Sequence, residues 1–92
     1  MIRISQTKTG QDVKVTFVVA KEAVPGPVSV VGSFNDWSPY THILRPRNNG
    51  TRSVAVTVPT GSAVHFRYLG ADGHWFDDPD ALAGPGGGVL HV

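Results

Sequence analysis

Apolar and polar residues alternate along most of this chain, which is the period of a β-strand that buries one face. Val13, Val15, Phe17 and Val19 form the first such run, with Lys14 between two of them. Similar runs predict further strands at residues 28–34, 54–58, 64–68 and 89–92. Shorter strands are predicted at residues 43–45 and, at a sheet edge, at residues 2–5. The 3.6-residue spacing of a helix is absent from every stretch of ten residues or more.

Turn-forming residues separate these runs at regular intervals. They are Pro25-Gly26-Pro27, Asn48-Asn49-Gly50, Pro59-Thr60-Gly61 and Asp72-Gly73. Short strands between frequent turns predict an all-β sandwich of about six to eight antiparallel strands. Residues 1–92 are expected to form a single domain. The Gly-rich stretch at 83–88 predicts a mobile loop that leads into the last strand.

Composition narrows the class of protein further. The chain has 92 residues and no cysteine, which excludes a disulfide framework or a thiolate metal site and suits a reducing compartment. No signal peptide is expected in residues 1–20, and no apolar run is long enough for a membrane span, so the predicted location is cytoplasmic. Residues 1–67 carry a net charge of +5 and residues 68–92 a net charge of −4. The basic residues are thinly spread, so nucleic acid is not an expected partner.

Two tryptophans are the strongest candidate binding residues. Trp37 ends the run Val-Gly-Ser-Phe-Asn-Asp-Trp at residues 31–37, and Trp75 follows the predicted Asp72-Gly73 turn. An indole offers a flat, rigid surface with one N–H donor, which suits stacking on the apolar face of a sugar ring. Two of them on a small β domain predict a platform for a flat ligand.

The order of the motifs resembles carbohydrate-binding module family 48. This family includes the glycogen-binding domain of the AMP-activated kinase β subunit and the early-set N-terminal domains of isoamylases and branching enzymes. The similarity begins with residues 31–37 and continues through Val-Pro-Thr-Gly at 58–61, Phe-Arg-Tyr at 66–68, Asp-Gly-His-Trp at 72–75 and Asp-Pro at 78–79. It covers about residues 12–92. The resemblance implies an immunoglobulin-like sandwich that binds α-1,4-linked glucan, has no catalytic activity and needs no cofactor.

The resemblance also implies which residues contact sugar. Trp37, Arg67 and Trp75 stand where the family has its two tryptophans and a basic residue. The family's final loop supplies a Leu, a Thr and an Asn, but those positions fall on Ala83, Pro85 and Gly87. Half of the expected platform is therefore absent from the sequence.

Each candidate has a structural alternative. Trp37 could close one end of the sandwich, with Asn35 holding the turn before it. Arg67 could be a solvated strand residue or pair with an acid of residues 77–80, and His65, on the same face by strand period, could simply be exposed. Phe34 is expected in the core.

The acids of residues 72–80 do not have the spacing of a calcium loop, and they lie on one short segment rather than across a cleft. Neither a metal site nor a glycosidase is therefore expected. The sequence predicts a non-catalytic module that binds α-glucan or maltooligosaccharide through Trp37, Arg67, Trp75, His65 and Asn35. The alternative is a scaffold of the same fold that has lost its sugar site and binds a glycogen-metabolism enzyme or another protein.

Overall fold

The alternating segments pair as strands of two antiparallel sheets that pack face to face. The structure, a computed structural model, describes residues 1–24, 26–84 and 87–92. One sheet has the strand order β1-β2-β5-β4, and the other has the order β3-β6-β9-β8, with β7 paired to β6. The strands are β1 Ile2–Gln6, β2 Asp12–Ala20, β3 Val28–Gly32, β4 Arg45–Pro46, β5 Thr51–Pro59, β6 Ala63–Gly70, β7 Trp75–Phe76, β8 Leu82–Gly84 and β9 Gly87–His91.

This topology confirms the predicted immunoglobulin-like β-sandwich. Seven-strand immunoglobulin domains place strands A-B-E-D against C-F-G. The order β1-β2-β5-β4 against β3-β6-β9 is the same, and β7 and β8 are two short additions to the second sheet. The part of the chain that the structure describes thus has nine strands rather than six to eight, because residues 75–76 and 82–84, where the alternation predicts no strand, form short strands.

The core lies between the sheets and is built from the predicted alternation. Phe17 on β2 is fully buried and packs against Phe66 and Tyr68 on β6, with ring centroids 4.8 and 6.3 Å away. The rest of the core is mostly valine, as expected for residues that present a β-branched side chain to a pleated surface. These inward residues fix which face of β6 points to solvent.

Strand β3 ends two residues earlier than the sequence predicts. It stops at Gly32, and a single 3₁₀ turn, Ser33–Asn35, follows. Phe34 therefore leaves the strand, yet it still packs against the core and stacks on Phe17 at 5.7 Å, which supports its predicted role. A Cβ at Gly32 would lie 2.3 Å from the His65 carbonyl oxygen, so the close approach of β6 requires glycine here.

The predicted strand at residues 43–45 is divided between the two sheets. Ile43 bridges to Ser29 at the edge of β3, whereas Arg45 pairs with Ser53 in the opposite sheet. The chain thus crosses from one sheet to the other around the buried Leu44. Pro46, which lacks an N–H, ends the short edge strand β4, a place that tolerates proline.

The prediction of a mobile loop at 83–88 is wrong for the residues of this stretch that the structure describes. Leu82–Gly84 pairs with Gly87–Val89 in an antiparallel hairpin, and Gly88 also pairs with Phe66 on β6. Glycine lowers the intrinsic strand preference, but pairing and close packing can outweigh that cost. Residues 85 and 86 lie outside the described residues. Within the described ranges, no helix has the length and apolar character needed to cross a membrane.

Candidate functional site

The outer face of the β3-β6-β9-β8 sheet collects three of the predicted site residues. Val64, Phe66 and Tyr68 of β6 point into the core, so the residues between them, His65 and Arg67, point outward. Trp75 on β7 is paired with Leu69, the next outward residue of β6. Because directly opposed residues of an antiparallel pair share a face, Trp75 lies on this outer face as well.

Arg67 and Trp75 form one continuous surface. The Arg67 guanidinium carbon lies 5.9 Å from the centroid of the Trp75 ring, within the range of a cation–π contact. Its Nε donates to Asp77 Oδ1 at 3.2 Å, and both side chains of this ion pair are partly exposed. The ion pair contributes at most about 1 kcal/mol because water screens it. Its main effect is to orient the guanidinium while leaving other donors toward solvent.

Gly87 provides the space in which Arg67 lies. A Cβ at Gly87 would be 2.4 Å from Arg67 Cγ and 2.8 Å from the Phe66 carbonyl oxygen. The residue has a φ of +138°, a backbone conformation that residues other than glycine rarely adopt. The position where the resemblance expects an amide side chain is therefore occupied by the Arg67 stem, which lies against the bare backbone.

Trp37 lies near the edge of the sheet formed by β3, in a turn with unusual backbone geometry. Asp36 and Trp37 have φ values of 55° and 59°, so two consecutive residues are left-handed. The Trp37 N–H donates to the Gly32 carbonyl at 2.9 Å, which closes the turn onto the end of β3. Trp37 is 46% exposed and Trp75 is 43% exposed, so neither indole is buried in the core.

The side chain of Asn35 takes the place of a strand partner at the edge of β3. Its Oδ1 accepts from the Gly32 N–H at 3.1 Å, and its Nδ2 donates to the Val30 carbonyl at 3.1 Å. Nδ2 also lies 3.0 Å from His42 Nδ1, which accepts its second hydrogen. Asn35 thus anchors the turn that carries Trp37, the structural role considered for it above.

The two tryptophans lie on opposite sides of the β3–β6 strand pair. The backbone groups of Val28 and Val30 form hydrogen bonds with residues 44 and 42, on the edge of β3 that faces away from β6. Gly32 lies two residues after Val30, so its backbone groups point toward the same edge of β3. Its carbonyl oxygen and the Trp37 amide that donates to it therefore lie on that edge too. Strands β3 and β6 therefore separate the Trp37 backbone from β7 and Trp75. His65, which is exposed, lies two residues from Arg67 on the intervening strand.

The acids of residues 72–80 serve different roles in the fold. Asp78 is buried, and its Oδ2 accepts from the Tyr68 hydroxyl at 2.6 Å and from the Met1 amino group at 3.0 Å. Its Oδ1 accepts from the Asp80 N–H, and Asp72 Oδ1 accepts from the His74 N–H. In the part of the chain that the structure describes, no three His, Cys, Asp or Glu side chains gather as metal ligands.

These contacts set the protonation of the buried pair. Burial raises the pKa of Tyr68 far above its ordinary value, and the Asp78 hydrogen bond and charge raise it further. Burial alone would also raise the pKa of Asp78, but the hydrogen bonds from Tyr68, the Asp80 amide and the Met1 amino group hold it below its ordinary value. Asp78 is therefore ionised at neutral pH and Tyr68 keeps its proton. A recess of about 510 Å³ adjoins this pair, but both oxygens of the carboxylate already have partners.

Sequence reasoning alone missed two features of this site. Asp77 was expected only as one of several possible partners for Arg67, and Gly87 only as a lost ligand. The Asp77 pairing follows from the hairpin register, in which Leu69 opposes Trp75 and Arg67 therefore comes opposite residue 77. No family model matches the chain, and a search of curated proteins finds no match either.

Proposed function

We propose that this domain is a non-catalytic module that binds α-glucan or maltooligosaccharide on the outer face of the β3-β6-β9-β8 sheet. The half-exposed Trp75 indole beside the oriented Arg67 guanidinium carries this proposal. The indole would stack on the apolar face of a glucose ring, and the guanidinium would donate to its hydroxyls. The motif order described above supports the choice of α-linked glucose.

Trp37 would extend the platform on the far side of β3. Its left-handed turn holds it to the end of that strand, and Asn35 fixes the turn without offering its amide to a ligand. His65 would add one donor between the tryptophans. In an open site of this kind the sugar hydroxyls and the protein groups lose hydrogen bonds to water as they form hydrogen bonds to each other, so we expect a dissociation constant between about micromolar and millimolar.

We also propose a cytoplasmic location, supported by the absence of cysteine.

A titration with maltoheptaose, followed by tryptophan fluorescence, tests this function. Trp75→Ala and Arg67→Met should each weaken binding, the first by about tenfold or more. Tyr40→Ala is a matched control, because Tyr40 is an aromatic residue with 84% exposure outside the platform. Equal affinities for all four proteins, or no saturable change with the wild type, would contradict the proposal.

A second candidate is a protein-interaction module of the same fold. Leu82 is 66% exposed and Ile43 is 49% exposed, and strand register places both on the same outer face as Trp75. The sequence also lacks the Leu, Thr and Asn that the resemblance expects for sugar binding, because these positions are Ala83, Pro85 and Gly87. A glycogen-metabolism enzyme or another protein would then cover this face. Absence of a sugar response together with a partner whose binding is lost in Leu82→Asp would favour this function.

A further inference from the structure

An arginine points toward the interior at one end of the sandwich. On β5, Val54, Val56 and Val58 face the opposite sheet, and Arg52 continues this alternation. Its partner across β2 is Val19, which belongs to the buried core. The position is therefore one at which the pattern of the strand calls for an apolar residue.

The described part of the chain provides no counter-ion for Arg52. Its Nε is buried and has no hydrogen-bond partner, and no described carboxylate lies within ion-pair distance of its guanidinium. Residues 37–71, the stretch of sequence around Arg52, contain no Asp or Glu. A partly buried cation without a partner is unfavourable, because it loses hydration and gains no opposite charge.

Arg52 lines an open groove of about 670 Å³ beside the point where the chain crosses between the sheets. Leu44 and Val54 are apolar groups that line it, and the exposed residues Tyr40 and Ile43 line it as well. Among the described residues that line the groove, Arg45 is a second cation and none is a carboxylate. This volume is in the range of pockets that hold small organic molecules.

We propose that this groove binds a small organic anion that carries a carboxylate or phosphate head on an apolar body. The terminal nitrogens of Arg52 would bind two oxygens of the head, the geometry that a guanidinium offers to either group. Arg45 adds positive charge at the groove, and the apolar body lies against Leu44, Ile43 and Tyr40. The site is separate from the Trp75 platform, so it stands whether or not the domain binds sugar.

Amide chemical shifts during titration with simple probes test the site. The probes are 4-phenylbutyrate, phenyl phosphate, the uncharged 4-phenylbutan-1-ol, and acetate. We expect saturable shifts at residues 42–45 and 52–54 with one or both of the first two probes, and the probe that binds more tightly identifies the head group. Arg52→Met should weaken that binding by about tenfold, whereas Arg3→Met, on the exposed face of β1, should change it by less than about twofold.

Equal shifts with the alcohol would mean that only the apolar wall binds, and this result would overturn the proposal. So would unchanged affinity in Arg52→Met, or no saturable shift up to about 20 mM of either anion. The unfolding midpoint of Arg52→Met reports whether the variant is folded, and Arg52→Gln is the second variant. If neither variant folds, the preference of the wild type for the anions over the alcohol decides.

Discussion

Arg67 owes its position beside Trp75 to a residue without a side chain. The Arg67 stem fills the space that a Cβ at Gly87 would need. Alternation along β6 predicts that Arg67 faces outward, but it cannot predict the surface against which the side chain lies. That surface is the glycine backbone at the start of β9, which is distant in sequence and carries no periodic signal.

Gly87→Ala is expected to destabilise the domain and displace Arg67. Strain at a φ of +138° and overlap with the Arg67 stem should together cost about 2–4 kcal/mol. The Arg67 guanidinium should also leave the Trp75 ring, which changes the fluorescence of that indole. Urea unfolding followed by tryptophan emission measures both effects.

Gly61→Ala is the matched control, because Gly61 also has a positive φ, of 88°, but nothing within 4 Å of its would-be Cβ. Its cost should be only about 1 kcal/mol, with unchanged emission. Equal costs for the two variants would show that Gly87 has no role in seating Arg67.

Asp78 links stability to acid pH. Its pKa is lower in the folded chain than its ordinary value, so the folded state holds fewer protons in that range. The stabilisation is therefore present above about pH 4 and is lost as pH falls toward the lower, folded pKa. Asp78→Asn should reduce the free energy of unfolding at pH 7 and flatten its fall below about pH 4. Urea unfolding at a series of pH values measures this slope.

Asp36→Asn is the control for this pH series. Asp36 is exposed, and asparagine tolerates its left-handed backbone. The acid slope of this variant should match that of the wild type. If Asp78→Asn keeps the full wild-type slope, another group is responsible for acid sensitivity.

At the scale of elements, the end of β3 decides where Trp37 lies. The alternation of Val28, Val30 and Phe34 predicts a strand to residue 34, yet the backbone turns after Gly32. The Asn35 side chain then forms hydrogen bonds with the backbone groups of β3 that have no partner strand at this edge. A pattern of apolar residues does not reveal this, because Phe34 reaches the core from the turn as well as from a strand.

Asn35→Ala should loosen this turn. It removes three hydrogen bonds and leaves the Gly32 N–H without its partner, at an expected cost of about 2–3 kcal/mol in unfolding free energy. Amide hydrogen exchange at Gly32 and Trp37 should accelerate together. Asn48→Ala, in an exposed turn, should change neither quantity. Slow exchange at both sites in Asn35→Ala would contradict an anchoring role for the side chain.

The β8–β9 hairpin is the element that sequence reasoning described least well. Glycines at 84, 87 and 88 carry no apolar signal, so their stretch resembles a loop. In the structure they permit close packing instead, since a Cβ at Gly88 would lie 2.9 Å from the Ala81 Cβ. The strands with alternating valines, by contrast, are predicted well, because burial of one face leaves a period of two in the sequence.

At the scale of the whole molecule, the charge division in the sequence becomes a division between the two sheets. Of the eight basic residues, only Arg67 belongs to the β3-β6-β9-β8 sheet. Four of the seven acids lie in residues 72–80, around strand β7. The outer face that carries Trp75 thus combines apolar surface, one oriented guanidinium and nearby carboxylates. That combination suits a neutral, hydroxyl-rich ligand better than a polyanion.

The most direct test of the sugar-binding account follows the two indole N–H resonances during a maltoheptaose titration. The chain has two tryptophans, so the ¹⁵N spectrum contains one such signal for each, and the single variants Trp37→Phe and Trp75→Phe assign them. We expect both signals to move along one saturation curve, with a dissociation constant between about micromolar and millimolar, and cellohexaose to leave them in place. If both signals stay in place at about 20 mM maltoheptaose, or if only one of them moves, the two tryptophans do not form a common platform for α-glucan.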